Sequence, residues 1–456
     1  MYYENTIAAV ATPAGEGAIG VVRLSGDRAA EIADRVFFAD DKKPLVSARG
    51  YTVRLGRVRD ADGRIIDRAI ALVFRAPKSY TGEDVVEIQC HGGEIVLERT
   101  LRRLLDEGAE PAAAGEFTRR AFENGKMSLT EAEAVAELIS ASSRQGEAAA
   151  ASLVDGELHR RTLEIKQQLI VIQSAIAAGI DFPEEDVEEV DTAELSTELA
   201  NICSVLKRLV DSYESGRAVL RGIPVTIVGS PNVGKSTLMN LMSGYERAIV
   251  APIAGTTRDV LEQRVRLAGL TLILSDTAGI HDSSDIIEQE GVSRAIKSME
   301  QSALILAVFD NSRELSGDDK KLIERLKDRQ TVAIVNKTDL DDKLDRRFIE
   351  DSFGNVVYIS AMNPDSLPLL EQAIKEQSGA AKLSPDEPVL ATERQRRCTA
   401  AAAVAVKNAL DALRDNAFDA AYASISEAIE SLCELDGENP VEAVLDEVFS
   451  RFCVGK

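Results

Sequence analysis

The run Gly229-Ser230-Pro231-Asn232-Val233-Gly234-Lys235-Ser236-Thr237 decides how this chain is read. It follows the apolar, β-branched stretch Ile223–Val228 and precedes Leu238–Met242, so a strand, a glycine loop and a helix are expected in that order. In that setting the pattern G-x-x-x-x-G-K-[ST] is a phosphate-binding loop. Gly229 and Gly234 let the backbone turn so that successive amides point inward, and the helix N-terminus adds partial positive charge. Lys235 reaches the β- and γ-phosphates, and the Ser236 hydroxyl is placed to bind Mg²⁺.

Four further elements follow in order, each at a strand end. The polar loop Gly255-Thr256-Thr257-Arg258-Asp259 offers a threonine to complete a Mg²⁺ shell. Thr271–Ser275 is an apolar strand ending in Asp276-Thr277-Ala278-Gly279, where the Asp can hold Mg²⁺ through water and the Gly amide can meet a γ-phosphate. Ala303–Phe309 and Val332–Val335 are two more buried strands. The second ends in Asn336-Lys337-Thr338-Asp339. The Asp339 carboxylate can accept from N1–H and N2–H of guanine, a donor pair adenine lacks, so the nucleotide is expected to be GTP or GDP. Val356–Ile359 leads to Ser360-Ala361, whose amides are expected at guanine O6. The segment resembles the G domain of the Ras-like GTPases, of the bacterial Era-like kind with Pro-Asn in the loop. One departure carries mechanism: Ile280 follows Gly279, where Ras-like enzymes place a water-orienting Gln. Isoleucine cannot orient water, and no arginine in the segment stands out as a finger, Arg258 aside.

At 456 residues, about three domains are expected. There is no Trp and only 4% aromatic residues, and alanine abounds outside the G segment, which points to closely packed helices. The five cysteines are scattered without metal-ligand spacing, as for reduced thiols in the cytoplasm. The N-terminus lacks a basic region and an apolar core, so no signal peptide is expected. No apolar run is long enough for a membrane span. A net charge of −23 argues against a broad, salt-driven grip on nucleic acid, so any RNA contact must be local or supplied by a partner.

Residues 1–121 read as an α+β domain, with strand-like runs at Thr6–Ala11, Ala18–Leu24, Tyr51–Val58, Ala69–Phe74 and Val85–Cys90, and a helix over Glu94–Glu107. On composition alone His91 is a hydrogen-bonded structural histidine, and Arg23 and Glu83 are ordinary surface charges. Residues 122–216 are helical (Leu129–Ser142, Arg144–Ala178, Asp191–Gly216), with Thr130 and Glu133 as a capping box. The acidic run Asp181–Asp186 reads as a solvated loop broken at Pro183. The G segment occupies 217–380, and 381–456 returns to helices over Glu393–Asn416, Asp419–Leu435 and Pro440–Phe452. Helical halves on either side of an α/β segment are most simply one discontinuous helical domain carrying an inserted G domain. Read locally, Phe452–Lys456 is a frayed tail.

Motifs across all three regions resemble the MnmE (TrmE) family of tRNA-modification GTPases. They are Thr6-Ile7-Ala8-Ala9 with Ala11-Thr12-Pro13, Gly20–Gly26, Tyr80-Thr81-Gly82-Glu83-Asp84, His91-Gly92-Gly93, Gly115–Phe122, Ala178–Pro183 and the terminal Phe452-Cys453-Val454-Gly455-Lys456. The resemblance implies a multidomain α/β plus α chain: an α+β N-terminal domain that dimerises and binds 5-formyl- or methylene-tetrahydrofolate, the helical domain, and the inserted Ras-like P-loop domain. It places folate contacts at Arg23, Glu83, Lys126 and Lys456, and makes Cys453 functionally required, reversing the frayed-tail reading. It implies an FAD-dependent partner, MnmG (GidA), in a heterotetramer-type complex that modifies C5 of the wobble uridine of certain tRNAs. In place of the finger it implies K⁺ held by Asn232 and the carbonyls of Ala251, Ile253 and Thr256, with Mg²⁺ at Ser236 and Thr257. Nucleotide contacts then run over Asn232, Val233, Gly234, Lys235, Ser236, Thr237, Ala251, Pro252, Ile253, Ala254, Gly255, Thr256 and Thr257. They continue at Asp276, Thr277, Ala278, Gly279, Asn336, Lys337, Asp339, Ser360 and Ala361. The family's water-orienting glutamate falls on Glu288; from the residues themselves Asp282, Asp285 and Glu290 compete with it, so the assignment rests on register alone. Two other readings were open to the residues themselves: a regulatory GTPase that docks on RNA, and a folate-dependent transferase with a vestigial G domain.

Overall fold

The computed structural model describes residues 5–181, 191–244, 262–267, 269–275, 299–300, 302–378, 388–438 and 440–456. These fall into two compact units, Met1–Ala136 with Leu432–Lys456, and Glu137–Ser431.

The strands of the first unit are β1 (Ile7–Val10), β2 (Gly17–Ser25), β3 (Phe37–Ala39), β4 (Thr52–Arg59), β5 (Ile65–Phe74), β6 (Val85–Gly92) and β7 (Glu110–Pro111). They form one sheet in the order β3-β4-β5-β6-β2-β1-β7, antiparallel throughout except for the parallel β1–β7 pair. Helices Ala29–Val36 and Glu94–Asp106 bury their apolar residues against one face, with Ile32, Val36, Leu97 and Leu104 meeting Val22, Val58, Ala71 and Ile88. Alternation along the strands produces this buried face, and at β1 the opposite face is covered as well, where Ile7 and Ala9 meet Ala112 and Phe117. The helices Leu129–Ser140 and Glu442–Ser450 supply a second apolar cluster, in which Leu129 and Ala132 meet Leu445, Val448, Phe449 and Phe452.

The helix begins at Leu129 as its sequence suggests, but its cap lies two residues before Thr130. Ser128 and Glu131 form the reciprocal box: the Glu131 amide donates to Ser128 Oγ (3.2 Å), and the Ser128 amide donates to Glu131 Oε2 (2.6 Å). Thr130 and Glu133 lie inside the helix, both buried. The spacing [ST]-x-x-E occurs twice in six residues here, and the first occurrence forms the cap.

The strands of the second unit are β8 (Ile223–Val228), β9 (Glu262–Leu267), β10 (Leu270–Ser275), β11 (Leu304–Asp310), β12 (Thr331–Asn336) and β13 (Val356–Tyr358). Their order is β13-β12-β11-β8-β10-β9, parallel except for the β9–β10 hairpin at the edge. β11 and β12 are buried along their whole length, as expected of parallel strands covered on both faces. β8 has β11 on one side and β10 on the other, which makes its C-terminal end the switch point where an open α/β sheet forms its binding crevice.

The helical part of this unit contains Arg144–Val154, Glu157–Asp181, Thr192–Arg221 and Glu393–Arg414. The expected single helix over Arg144–Ala178 is two, divided at Asp155-Gly156, where Gly156 takes a φ of 82°. The helix expected to stop at Gly216 continues to Arg221 and meets β8 through Gly222 alone. At Gly216 a Cβ would stand 2.9 Å from the Leu390 carbonyl, so the glycine sets how closely the segment before Glu393–Arg414 approaches. The latter helix buries Ala402, Ala405, Ala409 and Leu413 and packs along Thr192–Arg221. Helices from before and after the α/β segment therefore share one core, and the G domain is an insertion.

Candidate functional site

The phosphate-binding loop sits at the C-terminal end of β8, and Lys235 opens the helix Lys235–Gly244. Asn232 has φ 61° and Gly234 φ 102°. Positive φ values in successive turns aim amides into one concavity, which is the geometry an anion needs. A Cβ at Gly234 would collide with Asn336 Nδ2, so the glycine leaves room for that side chain against the loop. Asn336 fastens the two: its Nδ2 donates to the Val233 carbonyl (2.9 Å). Lys337, itself at φ 65°, donates from Nζ to the Asn232 carbonyl (2.8 Å) and to Asp310 Oδ2 (2.6 Å). Asp310 closes β11 and is buried. Burial alone would push its carboxyl up, but Lys337 and Ser312 hold it below the ordinary range.

The Lys235 ammonium is held by two carbonyls, Gly229 O (2.8 Å) and Ser230 O (2.9 Å). Burial pushes its pKa below the usual lysine value. The Ser230 hydroxyl in turn donates to Asp319 Oδ1 (2.6 Å). Ser236 and Asp339 are exposed. The amides expected at guanine O6 are otherwise engaged. Ala361 N–H donates to Asn336 Oδ1 (2.9 Å) and Ser360 N–H to Ser366 Oγ (3.2 Å). Both are buried bonds within the protein, so neither amide stands free to meet O6 in this conformation. Ala251, Pro252, Ile253, Ala254, Gly255, Thr256, Thr257, Arg258, Asp276, Thr277, Ala278, Gly279, Ile280 and Glu288 lie outside the described residues, as do Phe182–Asp186.

In the first unit, Arg23 and Glu83 are not ordinary surface charges. Arg23 Nε pairs with Glu87 Oε1 at 2.9 Å, and its guanidinium lies 5.5 Å from the ring centres of both Tyr80 and Phe117. Glu83 accepts from Ser25 Oγ (2.6 Å) and from Arg120, a side chain with no exposed surface at all. Arg120 also reaches Asn5 and Glu116. Lys126 donates to the Pro77 carbonyl (3.0 Å), and its stem lies beside Gly82. The tail is docked rather than frayed. The Phe117 amide donates to Lys456 O (3.2 Å), Val454 bridges to Ala114, and a Cβ at Gly455 would collide with the Val10 carbonyl. Arg23, Tyr80, Phe117 and Lys456 thus share one neighbourhood, with Glu83 and Lys126 at either end of the Pro77–Glu83 loop. Cys453 is exposed, and its thiol is not disulfide-bonded. His91 is hydrogen-bonded as expected, from Nδ1 to Asp67 at 2.8 Å, though on the surface. Among the described residues no cluster of His, Cys, Asp or Glu could hold a metal, and no helix is long and apolar enough to cross a membrane.

A parallel sheet with a phosphate loop at its switch point and an Asn-Lys-x-Asp strand end against that loop defines a P-loop GTPase of the Ras-like architecture. Residues 129–453 match the model described as the MnmE helical domain, and residues 6–126 that of the GTP-binding protein TrmE N-terminus. The chain belongs to the MnmE family of tRNA modification GTPases. The tRNA modification GTPase MnmE of Acetivibrio thermocellus is 36% identical over 461 residues, covering 100% of both chains. Those of Symbiobacterium thermophilum and Moorella thermoacetica are 39% and 40% identical, each over 99% of this chain and 100% of the relative. Among solved structures, the G domain of the T. maritima FeoB iron transporter aligns with 34% of this chain and 98% of its own, at 26% identity and a TM-score of 0.27.

Proposed function

We propose that this chain is a K⁺-activated GTPase that, with the FAD-dependent partner MnmG, modifies C5 of the wobble uridine of certain tRNAs to the carboxymethylaminomethyl or aminomethyl form. It would use a tetrahydrofolate one-carbon unit. Membership of the family over the full chain supports the tRNA reading, and a partner with its own RNA grip fits a net charge of −23. GTP hydrolysis serves as the switch, not as the modification chemistry. The parts are 1–121 for folate binding and dimerisation, 122–216 and 381–456 for the helical domain, and 217–380 for the G domain, acting as a cytoplasmic homodimer.

The observation that carries the K⁺ reading is the position of Asn232. It is exposed at the turn of the phosphate loop in a left-handed conformation, with its carbonyl fixed by Lys337. An amide oxygen there suits a large monovalent cation, with the carbonyls of Ala251, Ile253 and Thr256 as its partners. The ion supplies fixed positive charge where negative charge develops on the phosphates, the role an arginine finger fills elsewhere. Ser236 and Thr257 would hold Mg²⁺, and Glu288 would orient water. In matched KCl and NaCl buffers, K⁺ should raise steady-state GTP hydrolysis by about tenfold or more. Asn232→Ala should abolish that advantage while GTP still binds. Equal slow rates in both salts would instead favour a regulatory GTPase that needs an outside activating protein.

For folate, the guanidinium of Arg23 beside two aromatic rings suits a ligand with both a flat ring and carboxylates. Glu83, Lys126 and Lys456 add polar groups to the same neighbourhood, with Cys453 next along the tail. Arg23→Ala should weaken 5-formyl-tetrahydrofolate binding by about tenfold or more in calorimetry, the loss expected for a charge-assisted pair. Unchanged affinity would move the folate elsewhere.

A further inference from the structure

We propose that Asp319 is a positioning residue for the phosphate-binding loop, acting through Ser230 to set the carbonyl seat of Lys235. Ser230 fills one of the four variable positions of the loop pattern, so the motif itself assigns it nothing. In the fold it works at both ends. Its carbonyl receives the Lys235 ammonium at 2.9 Å, and its hydroxyl donates to Asp319 Oδ1 at 2.6 Å. Fixing the side chain at one end fixes the peptide that aims the lysine at the other.

Asp319 is built as an anchor. It lies in the first turn of the helix Gly317–Leu326 and is 2% exposed. Its Oδ2 takes the Ser316 amide (2.9 Å) and hydroxyl (2.7 Å), completing a capping box, and Arg313 stands 3.3 Å away. A capping box engages one carboxylate oxygen. The second oxygen of Asp319 is turned to the phosphate loop 89 residues earlier in the chain. A buried carboxylate with one oxygen unpaired would be costly, so the Ser230 hydroxyl and Asp319 fix one another. Burial alone would raise the Asp319 carboxyl, but the Ser230 and Ser316 hydrogen bonds and Arg313 hold it below its ordinary value.

The test is a double-mutant cycle read by binding of N-methylanthraniloyl-GDP and -GTP to the full-length chain. Ser230→Ala should weaken both by about three- to tenfold, the value of one ordinary hydrogen bond. Ser230→Thr should restore wild-type affinity, which a purely steric role of the small side chain would not predict. Asp319→Ala also removes a helix cap, so its own effect is not diagnostic. In that background, however, adding Ser230→Ala should cost nothing further. Affinity of Ser230→Ala within twofold of wild type would overturn the assignment, and so would losses that simply multiply across the cycle.

Discussion

Asp339→Asn should transfer the chain's preference from guanine to xanthine nucleotides. In the proposed reading the carboxylate accepts from the N1–H and N2–H donors of guanine. An asparagine offers one acceptor and one donor, which matches N1–H and the 2-oxo group of xanthine instead. A site built on paired hydrogen bonds rejects the mismatched base by factors of about 10⁴ or more, so most of the GTP affinity should disappear and XTP should bind in its place. Titrating wild type and variant with N-methylanthraniloyl-GTP and N-methylanthraniloyl-XTP would measure the exchange. Wild-type GTP preference in the variant would contradict base reading by Asp339. The side chain is exposed, so the substitution leaves the core intact and a failure to fold would not confuse the result.

The second large effect concerns stability. Arg120→Ala should destabilise the N-terminal unit by about 3–5 kcal/mol, the usual consequence of removing one partner from a buried ionic cluster. Arg120 is fully buried, and its guanidinium serves Glu83, Glu116 and both the carbonyl and the side chain of Asn5. Removing it strands two carboxylates that are 11% and 16% exposed. Hydrogen exchange reads the effect locally in a chain with more than one folding unit. Peptides covering β1, β2 and β6 should lose protection, while those of β11 and β12 keep theirs. Unchanged protection in the first set would mean that the cluster contributes little. Arg23→Ala should cost the fold far less, because its guanidinium is 20% exposed and answers to one carboxylate.

The G segment was legible because its chemistry sits where β-branched apolar runs stop. Ile223–Val228, Leu304–Asp310 and Thr331–Asn336 are buried on both faces, so they read as unbroken hydrophobic runs, and the first and last end at a motif. β9 was not read, since Glu-Gln-Arg-Val-Arg-Leu at a sheet edge keeps its charges in water and has a weak apolar signal. The turn at Asp155-Gly156 went unread because apolar spacing continues on both sides, although the dipeptide is itself a breaker. Arg120 looks like any charge on a short amphipathic helix. Its burial follows from Asn5 and Glu83, 115 and 37 residues away, which no local pattern contains. The docked tail is the same kind of fact: its partners Val10, Ala114 and Phe117 are more than three hundred residues upstream. The family motifs marked these positions, but only the fold gives the physical reason for them.

Gly222 gives the second unit a mechanical property. The 30-residue helix Thr192–Arg221 passes into β8 through this one residue, whose φ is 90° and whose Cα lies so close to the Thr271 carbonyl that a Cβ would stand 2.8 Å from it. With one residue between them, the helix is a long arm on the root of β8. The arm is roughly 45 Å long, so each degree of tilt at the root of β8 sweeps its far end by roughly 0.8 Å. Five degrees would carry that end about 4 Å, roughly three-quarters of the helical pitch.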